Sequence, residues 1–143
     1  GQIYKNVLVE NESVFNCPEV DYYTFESGAR TAWHSHEGGQ LIIVTNGTGF
    51  YQEDGGDVRV ITAGDVIEAQ PGVKHWHGAA NEQFAYIAVN GNPGNDSISW
   101  DKEVTDEEYN SVSAGNGIAV AETSAGAVQG YISDGTYTYH GIP

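Results

Sequence analysis

Apolar and polar residues alternate along much of residues 20–89, and no long stretch repeats with the period of an amphipathic helix. Glycine, proline, asparagine and aspartate interrupt this alternation about every ten residues, as the turns of an all-β domain do. The pattern predicts about six to eight short strands in an antiparallel sandwich or small barrel. The extended segments are predicted at residues 20–26, 30–36, 40–45, 50–53, 58–61, 65–69, 73–78 and 84–89.

Some of these segments allow more specific predictions. Residues 40–45 (QLIIVT) are apolar on both faces, so we expect a strand buried on both sides and a homodimer formed by sheet packing. The Asn46-Gly47 pair that follows predicts a tight turn. Residues 50–53 and 58–61 flank a DGGD loop, which predicts a β-hairpin.

The last third of the chain lacks the regular strand-and-turn pattern of residues 20–89. Thr105 stands three residues before Glu108 in the form of a capping box, which predicts a short helix over residues 106–110. Residues 111–117 are mostly small or polar and predict a linker. Residues 118–143 contain three short β-like pieces, which predict a β extension. We therefore expect a domain over residues 1–110, the linker, and then the extension.

Charge and composition exclude several classes of partner. The 143 residues include 20 acidic and 5 basic side chains and a net charge of −15, so binding to nucleic acid or an anionic membrane is not expected. No apolar run is long enough to span a membrane. Cys17 is the single cysteine, for which we expect a buried structural thiol. The expected partner is a small molecule.

Four of the five histidines form two H-x-H pairs, His34 with His36 and His75 with His77. Alternate residues of a strand share one face, so each pair points to one side of its strand. Two such strands facing each other bring up to four imidazoles into one small volume. Imidazole is the commonest protein ligand of transition metals, and the pairs therefore predict a metal site. For any one histidine alone, a core or surface position is the more frequent role.

These pairs lie in two spaced motifs that resemble those of the cupin superfamily. The first reads G-x5-H-x-H-x3-Q-x6-G over residues 28–47, and the second, over residues 64–81, contains Pro71-Gly72 and His75. The chain is more narrowly similar to the small single-domain cupins associated with carboxymuconolactone decarboxylases and to the cupin hydroxynitrile lyases. The segments that carry this similarity are ARTAWHSH at 29–36, PGVKHWHGAA at 71–80 and VTDEEY at 104–109. The resemblance implies an all-β fold, the cupin double-stranded β-helix or jelly-roll barrel, followed by the short helix and the β extension.

Carried over onto this sequence, the resemblance implies one divalent transition metal per chain, bound by His34, His36, Gln40 and His75. Manganese or iron suits three imidazoles and an amide oxygen, and nickel, cobalt or zinc can also occupy such a set. Many cupins hold a glutamate where this chain has Gln40. A neutral amide leaves the charge of the ion uncompensated, which makes the ion a stronger Lewis acid but binds it less tightly. Open coordination positions indicate a catalytic site.

Two further residues bear on catalysis. His77 shares a face with His75 but is not a ligand in the family pattern, and both a pocket base or donor and a structural role are open for it. The related lyases often carry a histidine on the strand after the second motif, where this chain has Tyr86. A phenol with a pKa near ~10 does not readily replace an imidazole near ~6.5, which argues against cyanohydrin cleavage. The predicted pocket lining is Trp33, Ile42, Trp76, Phe84 and Arg30.

The function predicted from these residues is that of a metal-dependent lyase, isomerase or oxygenase acting on a small carbonyl, hydroxy or phenolic compound. The alternative is a non-catalytic cupin module that binds or senses a small ligand or sugar beside a carboxylesterase. It comes from residues 118–143, whose GAVQG and YHGIP segments resemble the first strands of type-B carboxylesterases. The G-x-S-x-G nucleophile motif is absent, so no esterase activity is expected of this chain. A bacterial periplasmic or secreted location is expected with an esterase partner, and a cytoplasmic one otherwise.

Overall fold

The computed structural model describes residues 1–10, 18–91 and 97–117. Cys17 and the predicted β extension at 118–143 lie outside the described residues. Within them the chain forms ten strands and one helix. In chain order these are β1 (Ile3–Val9), β2 (Val20–Phe25), β3 (His34–His36), β4 (Gln40–Asn46), β5 (Thr48–Glu53), β6 (Arg59–Thr62), β7 (Val66–Ala69), β8 (His75–Ala79), β9 (Phe84–Asn90), β10 (Ile98–Trp100) and α1 (Asp106–Gly115).

The strands form two five-stranded sheets. The first has the order β1-β2-β9-β4-β7 and the second β10-β3-β8-β5-β6. The strand pairs of both sheets are antiparallel. From β3 to β9 the chain crosses repeatedly from one sheet to the other, which winds both sheets around a common interior. This architecture is the double-stranded β-helix, and the predicted fold class is confirmed.

All eight predicted extended segments contain a strand, and the DGGD loop joins β5 to β6 as the predicted hairpin. Two strands, β1 and β10, were not predicted. β1 lies at a sheet edge and mixes polar and apolar residues without regular alternation, while β10 has only three residues. The segment at 30–36 is a strand only over its last three residues, and at its start Arg30 makes an isolated bridge to Gly78.

β4 is buried on one face only, so the prediction for residues 40–45 is wrong on this point. Gln40, Ile42 and Val44 are buried, whereas Leu41 and Ile43 on the opposite face are half-buried. An apolar outer face does not require burial within one chain, because much of any protein surface is apolar. The homodimer that was inferred from this pattern stays a prediction.

The Asn46-Gly47 pair marks a corner between the two sheets rather than a hairpin turn, since the strands it joins, β4 and β5, lie in different sheets. Gly47 has a φ of +78°, in the left-handed region that favours glycine. A side chain at this position would collide with the carbonyl oxygen of Gln83. Both the backbone conformation and the close approach therefore require glycine here.

Two apolar clusters lie on opposite sides of the second sheet. The larger one, which we call the barrel core, fills the space between the sheets and includes Phe25, Ile42, Phe84 and Tyr86. The smaller one, the helix-side cluster, packs α1 against the outer face of the second sheet. It consists of Trp33, Phe50, Trp76, Ala80, Val104 and Tyr109.

The helix α1 begins as the capping box predicts, because the hydroxyl of Thr105 accepts a hydrogen bond of 3.1 Å from the backbone N–H of Glu108. It continues to Gly115, so residues 111–115 of the predicted linker are helical. Ser113 is buried and Val112 packs against the helix-side cluster, and these tertiary contacts extend the helix beyond its local signal. Among the residues described, no helix is long and apolar enough to cross a membrane.

Arg30 holds α1 against the barrel. Its side chain is buried, and its Nε and Nη2 atoms donate hydrogen bonds of 3.1 and 2.9 Å to the carbonyl oxygen of Val104. Nη2 also pairs with the Asp106 carboxylate at 2.7 Å, and the guanidinium lies 4.6 Å from the centre of the Tyr109 ring. The planar, many-donor guanidinium suits this set of partners in a way that an ammonium group does not.

We therefore expect Arg30→Lys to lower the free energy of unfolding by about 1–3 kcal/mol, because the buried Val104 carbonyl loses its donors. Urea denaturation followed by tryptophan fluorescence measures this loss. The matched control is Asp106→Asn, whose side chain is 57% exposed and which should cost less than about 1 kcal/mol. Equal losses in the two variants would show that the ion pair, rather than the bonds to Val104, makes the main contribution.

A candidate metal centre in the barrel

Three of the predicted ligands converge inside the barrel. His34 and His36 are alternate residues of β3, and His34 lies directly opposite His75 of β8 in the strand register. One nitrogen from each of the three rings lies within 4.8 Å of the others. All three side chains are buried, at 0 to 3% exposure. The strand geometry that the H-x-H spacing predicts is therefore present.

Backbone carbonyls determine the protonation of two of the rings. The Nδ1 atom of His34 lies 2.8 Å from the carbonyl oxygen of Ala32, and that of His75 lies 2.9 Å from the carbonyl oxygen of Val73. A carbonyl oxygen can only accept, so each Nδ1 must carry the proton and donate it. In a neutral ring the Nε2 atom then keeps its lone pair, which is the state that binds a metal ion.

The atoms that would bind a metal have no other partner among the described residues. These atoms are Nε2 of His34, Nε2 of His75, one ring nitrogen of His36 and Oε1 of Gln40, all of them buried; the second ring nitrogen of His36 is buried and unpaired as well. Leaving a buried polar atom unpaired costs about 1–3 kcal/mol, so such a group of atoms in one place requires an explanation. Three imidazole nitrogens and an amide oxygen fit a divalent transition metal ion, which would satisfy them together.

Burial keeps these imidazoles neutral at physiological pH. Desolvation is the largest cause in each case, and it lowers the pKa of His36 to about 4 and that of His34 well below its usual value. The pKa of His75 is lowered as well, although its bond to the Val73 carbonyl acts in the opposite direction. Neutral rings do not repel a cation, and their lone pairs are available without the loss of a proton.

Gln40 points into the barrel beside His36. Its Nε2 donates a 3.2 Å hydrogen bond to Oδ1 of Asn90, the residue opposite it on β9, and this bond leaves Oε1 as the unpaired atom of the amide. Sequence reasoning missed Asn90. Its signal was the end of the alternating segment at 84–89, where the next inward position is polar.

His77 and Tyr86 also lie in the interior, next to the three ligands. The centre of the His77 ring is 5.2 Å from that of His34 and 5.5 Å from that of His75, and Nδ1 of His77 lies 3.0 Å from the Tyr86 hydroxyl. His77 is outside the group of three convergent histidines. Burial lowers its pKa well below the usual value.

The predicted pocket residues divide into two groups. Ile42 and Phe84 are part of the barrel core, on the side of the sheets that faces the histidines. Trp33 and Trp76 belong to the helix-side cluster instead, because they are the strand neighbours of inward-facing histidines and must point the other way. Arg30 binds α1, as described above. The prediction that these three residues line the pocket is therefore wrong.

Aromatic side chains that were not predicted contact the histidine rings. The ring centre of Trp100 is 4.8 Å from that of His34, and the ring centre of Tyr51 is 5.4 Å from that of His75. A separate cavity of about 330 Å³ lies beside Gln40. It is also lined by Leu41 and Val89, which face outward, so it opens on the outer side of the first sheet rather than over the imidazoles.

Known proteins are similar to this chain in fold and in sequence. The cupin domain family matches residues 21–90. An (R)-mandelonitrile lyase from Granulicella tundricola is 48% identical over 87 residues, which cover 60% of this chain and 66% of that protein. The chain thus spans about two thirds of the length of this curated relative.

Among solved structures, a cupin-like protein from Thermotoga maritima is 45% identical, with a TM-score of 0.72 over 77% of this chain and 84% of that one. A protein from Klebsiella pneumoniae with a double-stranded β-helix domain is 28% identical, with a TM-score of 0.61 over 71% of this chain and 86% of that one. The barrel, its three convergent histidines and these similarities agree, and the chain belongs to the cupin family.

Proposed function

We propose that this chain is a metal-dependent enzyme of the lyase type, which acts on a small hydroxy compound, and that aromatic cyanohydrins are the first substrates to test. The observation that carries the proposal is the convergence of three buried imidazoles whose metal-binding nitrogens have no partner among the described residues. The similarity to an (R)-mandelonitrile lyase supports the choice of substrate class. Isomerase and oxygenase chemistry use comparable centres, and cleavage of a cyanohydrin by the metal-loaded protein would favour the lyase over both.

The proposed metal is one divalent transition ion per chain, manganese or iron in the first place, held by His34, His36, His75 and Gln40. When bound, such an ion supplies Lewis-acid polarisation of a hydroxyl or carbonyl oxygen. The four ligand side chains carry no charge at neutral pH, because the imidazole pKa values are lowered and an amide does not ionise. The full charge of the ion would then act on the substrate oxygen.

The residues around this centre hold the proposed ligand side chains in position. Asn90 holds the Gln40 amide, and the backbone carbonyls of Ala32 and Val73 hold the rings of His34 and His75. Since these partners are backbone or buried side-chain groups, the ligand set is organised before any ion or substrate arrives. His77 and Tyr86 form a hydrogen-bonded pair on the same interior surface, where they can contact a bound substrate.

The first test is the metal content of the full chain, purified without chelators and measured by inductively coupled plasma mass spectrometry. We expect close to one transition metal ion per chain in the wild type and only a small fraction in His36→Ala, which removes one of three convergent nitrogens. The matched control is His77→Gln, which lies in the same interior surface but outside the ligand group and should keep the metal. Full retention after His36→Ala would contradict the ligand assignment.

The second test is turnover. The manganese- and iron-loaded wild type should cleave racemic mandelonitrile to benzaldehyde faster than buffer does, followed by ultraviolet absorbance and by assay of free cyanide, while His36→Ala should not. Gln40→Glu should hold the metal more tightly against a competing chelator and turn over more slowly, because the added negative charge weakens the Lewis acid. A metal-loaded wild type without turnover on cyanohydrins would contradict the lyase proposal and favour the binding module.

A further inference from the structure

A buried carboxyl group in the barrel wall has no role in the account above. Asp21 lies on β2 with 0% exposure, on the same face as Tyr23 and Phe25, two members of the barrel core. Alternate residues of a strand share a face, so Asp21 points into the barrel with them. Acidic side chains are almost never fully buried unless they are paired, and the partners of this one therefore matter.

The contacts of Asp21 satisfy only one of its two oxygens. Oδ2 accepts a long hydrogen bond of 3.5 Å from the Tyr23 hydroxyl and lies 3.9 Å from the ammonium of Lys5. Lys5 is closer to Glu19, at 3.2 Å. Oδ1 is buried and has no hydrogen-bond partner within the described part of the chain. Structural pairing alone therefore does not explain why a carboxyl group is kept at this position.

The strand register places Asp21 on the same interior surface as the metal centre. Asp21 is opposite Ala88 of β9, and Ala88 is opposite Ile42 of β4, which lies two residues after Gln40. With strands about 4.8 Å apart and a rise of about 3.3 Å per residue, the Cα atoms of Asp21 and Gln40 are about 12 Å apart. Ala88 of β9 lies between Asp21 and β4, and its side chain is only a methyl group. A small substrate bound at the metal centre and extending along this surface would contact both side chains.

The surroundings of Asp21 favour proton exchange near neutral pH. The pKa of Asp21 is raised to about 7, mainly by desolvation and also by the neighbouring Glu19 carboxylate, while the Lys5 ammonium on β1 acts in the opposite direction. Tyr23 is the other titratable group that contacts it, and the residue facing it from β9 is Ala88, which does not ionise. A general base works best when its pKa is close to the working pH.

We propose that Asp21 is the catalytic base that removes the hydroxyl proton of the substrate, an inference that rests on the proposed lyase function. With a cyanohydrin, the O–H proton passes to the Asp21 carboxylate and the electron pair of that bond forms the C=O bond. The bond between the carbon and the nitrile breaks, and its electron pair leaves with cyanide. Cyanide then takes the proton from the Asp21 carboxylic acid, so that the products are an aldehyde and hydrogen cyanide.

This assignment also answers the difficulty raised by Tyr86. A phenol is a poor base at neutral pH, and the Tyr86 hydroxyl is already bonded to His77. Asp21 supplies a carboxylate on the adjoining strand, since β2 pairs with β9 and Tyr23 lies opposite Tyr86. His77 is the competing base in the barrel interior, and the variants below distinguish Asp21 from His77 as the base.

The test compares Asp21→Asn, which keeps the shape and removes the ionisation, with the control Glu19→Gln, which removes the other carboxylate next to Lys5. With mandelonitrile as the probe, Asp21→Asn should lower kcat by at least about 100-fold. It should also abolish the ionisation near neutral pH in the kcat profile, with the metal content unchanged. Glu19→Gln should keep a kcat close to that of the wild type at its optimum, and its ionisation should move to lower pH because Glu19 raises the pKa of Asp21. An Asp21→Asn variant with wild-type kcat, while His77→Gln loses activity, would overturn the proposal in favour of His77.

A second measurement does not depend on turnover. The pKa of Asp21 is about 7 in the folded state, against an ordinary value of 3.8 for the unfolded chain. Between about pH 4 and pH 7 the folded wild type therefore keeps a proton that the unfolded chain has already released. The stability contributed by this group is therefore present at low pH and is lost as pH rises through about 7. Relative to the wild type, Asp21→Asn should gain stability over that range in urea denaturation of the metal-free protein. A constant difference would overturn the proposal.

Failure of the proposed lyase function and failure of the Asp21 assignment give different results. A metal-loaded wild type that cleaves no cyanohydrin overturns the proposed function and this assignment with it. A wild type that is active beside an equally active Asp21→Asn variant overturns the assignment alone.

Discussion

The structure depends on the burial of polar side chains whose hydrogen-bonding atoms are not all paired by the residues that the structure describes. Four of the five buried atoms at the centre are imidazole nitrogens, and the fifth is an amide oxygen. Burying each unpaired atom costs about 1–3 kcal/mol of folding free energy, so the five together cost several times that amount. A fold of ordinary stability keeps such a group of atoms only where another interaction offsets the cost. Binding of an ion by the folded state would recover most of that cost, since one ring nitrogen of His36 stays outside the coordination, and this links the stability of the barrel to its ligand.

The two-sheet architecture is what makes this arrangement possible. The three convergent histidines come from β3 and β8, which are neighbours in the second sheet, whereas Gln40 comes from β4 in the first, so an ion held by all four residues would need both sheets to close around one interior. Hydrogen bonds from His34 and His75 to backbone carbonyls then hold the rings in place. The helix-side cluster and Arg30 stabilise the opposite face of the same sheet. Each layer thus supports the strands that carry the histidines.

Much of this could be predicted from the sequence, because alternation along a strand determines which residues share a face. That rule, with the regular spacing of turn residues, predicted eight of the ten described strands and the meeting of the two H-x-H pairs, whereas the choice of His34, His36 and His75 as the ligands came from the resemblance to cupins. The predicted pocket lining did not follow this rule at Trp33 and Trp76, which are chain neighbours of inward-facing histidines and therefore face the helix on the other side of the sheet. It also overlooked Asp21, although this residue is in phase with Tyr23 and Phe25, since a charge is normally assumed to face solvent.

The absence of charge on the proposed ligands affects how charged molecules would enter and leave the barrel interior. The chain as a whole carries a net charge of −15, so its surface field repels anions and slows their approach. An ion coordinated only by uncharged groups would instead retain anions that reach it, such as a released cyanide or carboxylate. Entry would therefore select for uncharged molecules, while departure of a charged product would be slow unless a proton leaves with it. Product release, rather than bond cleavage, would then limit the rate at high pH.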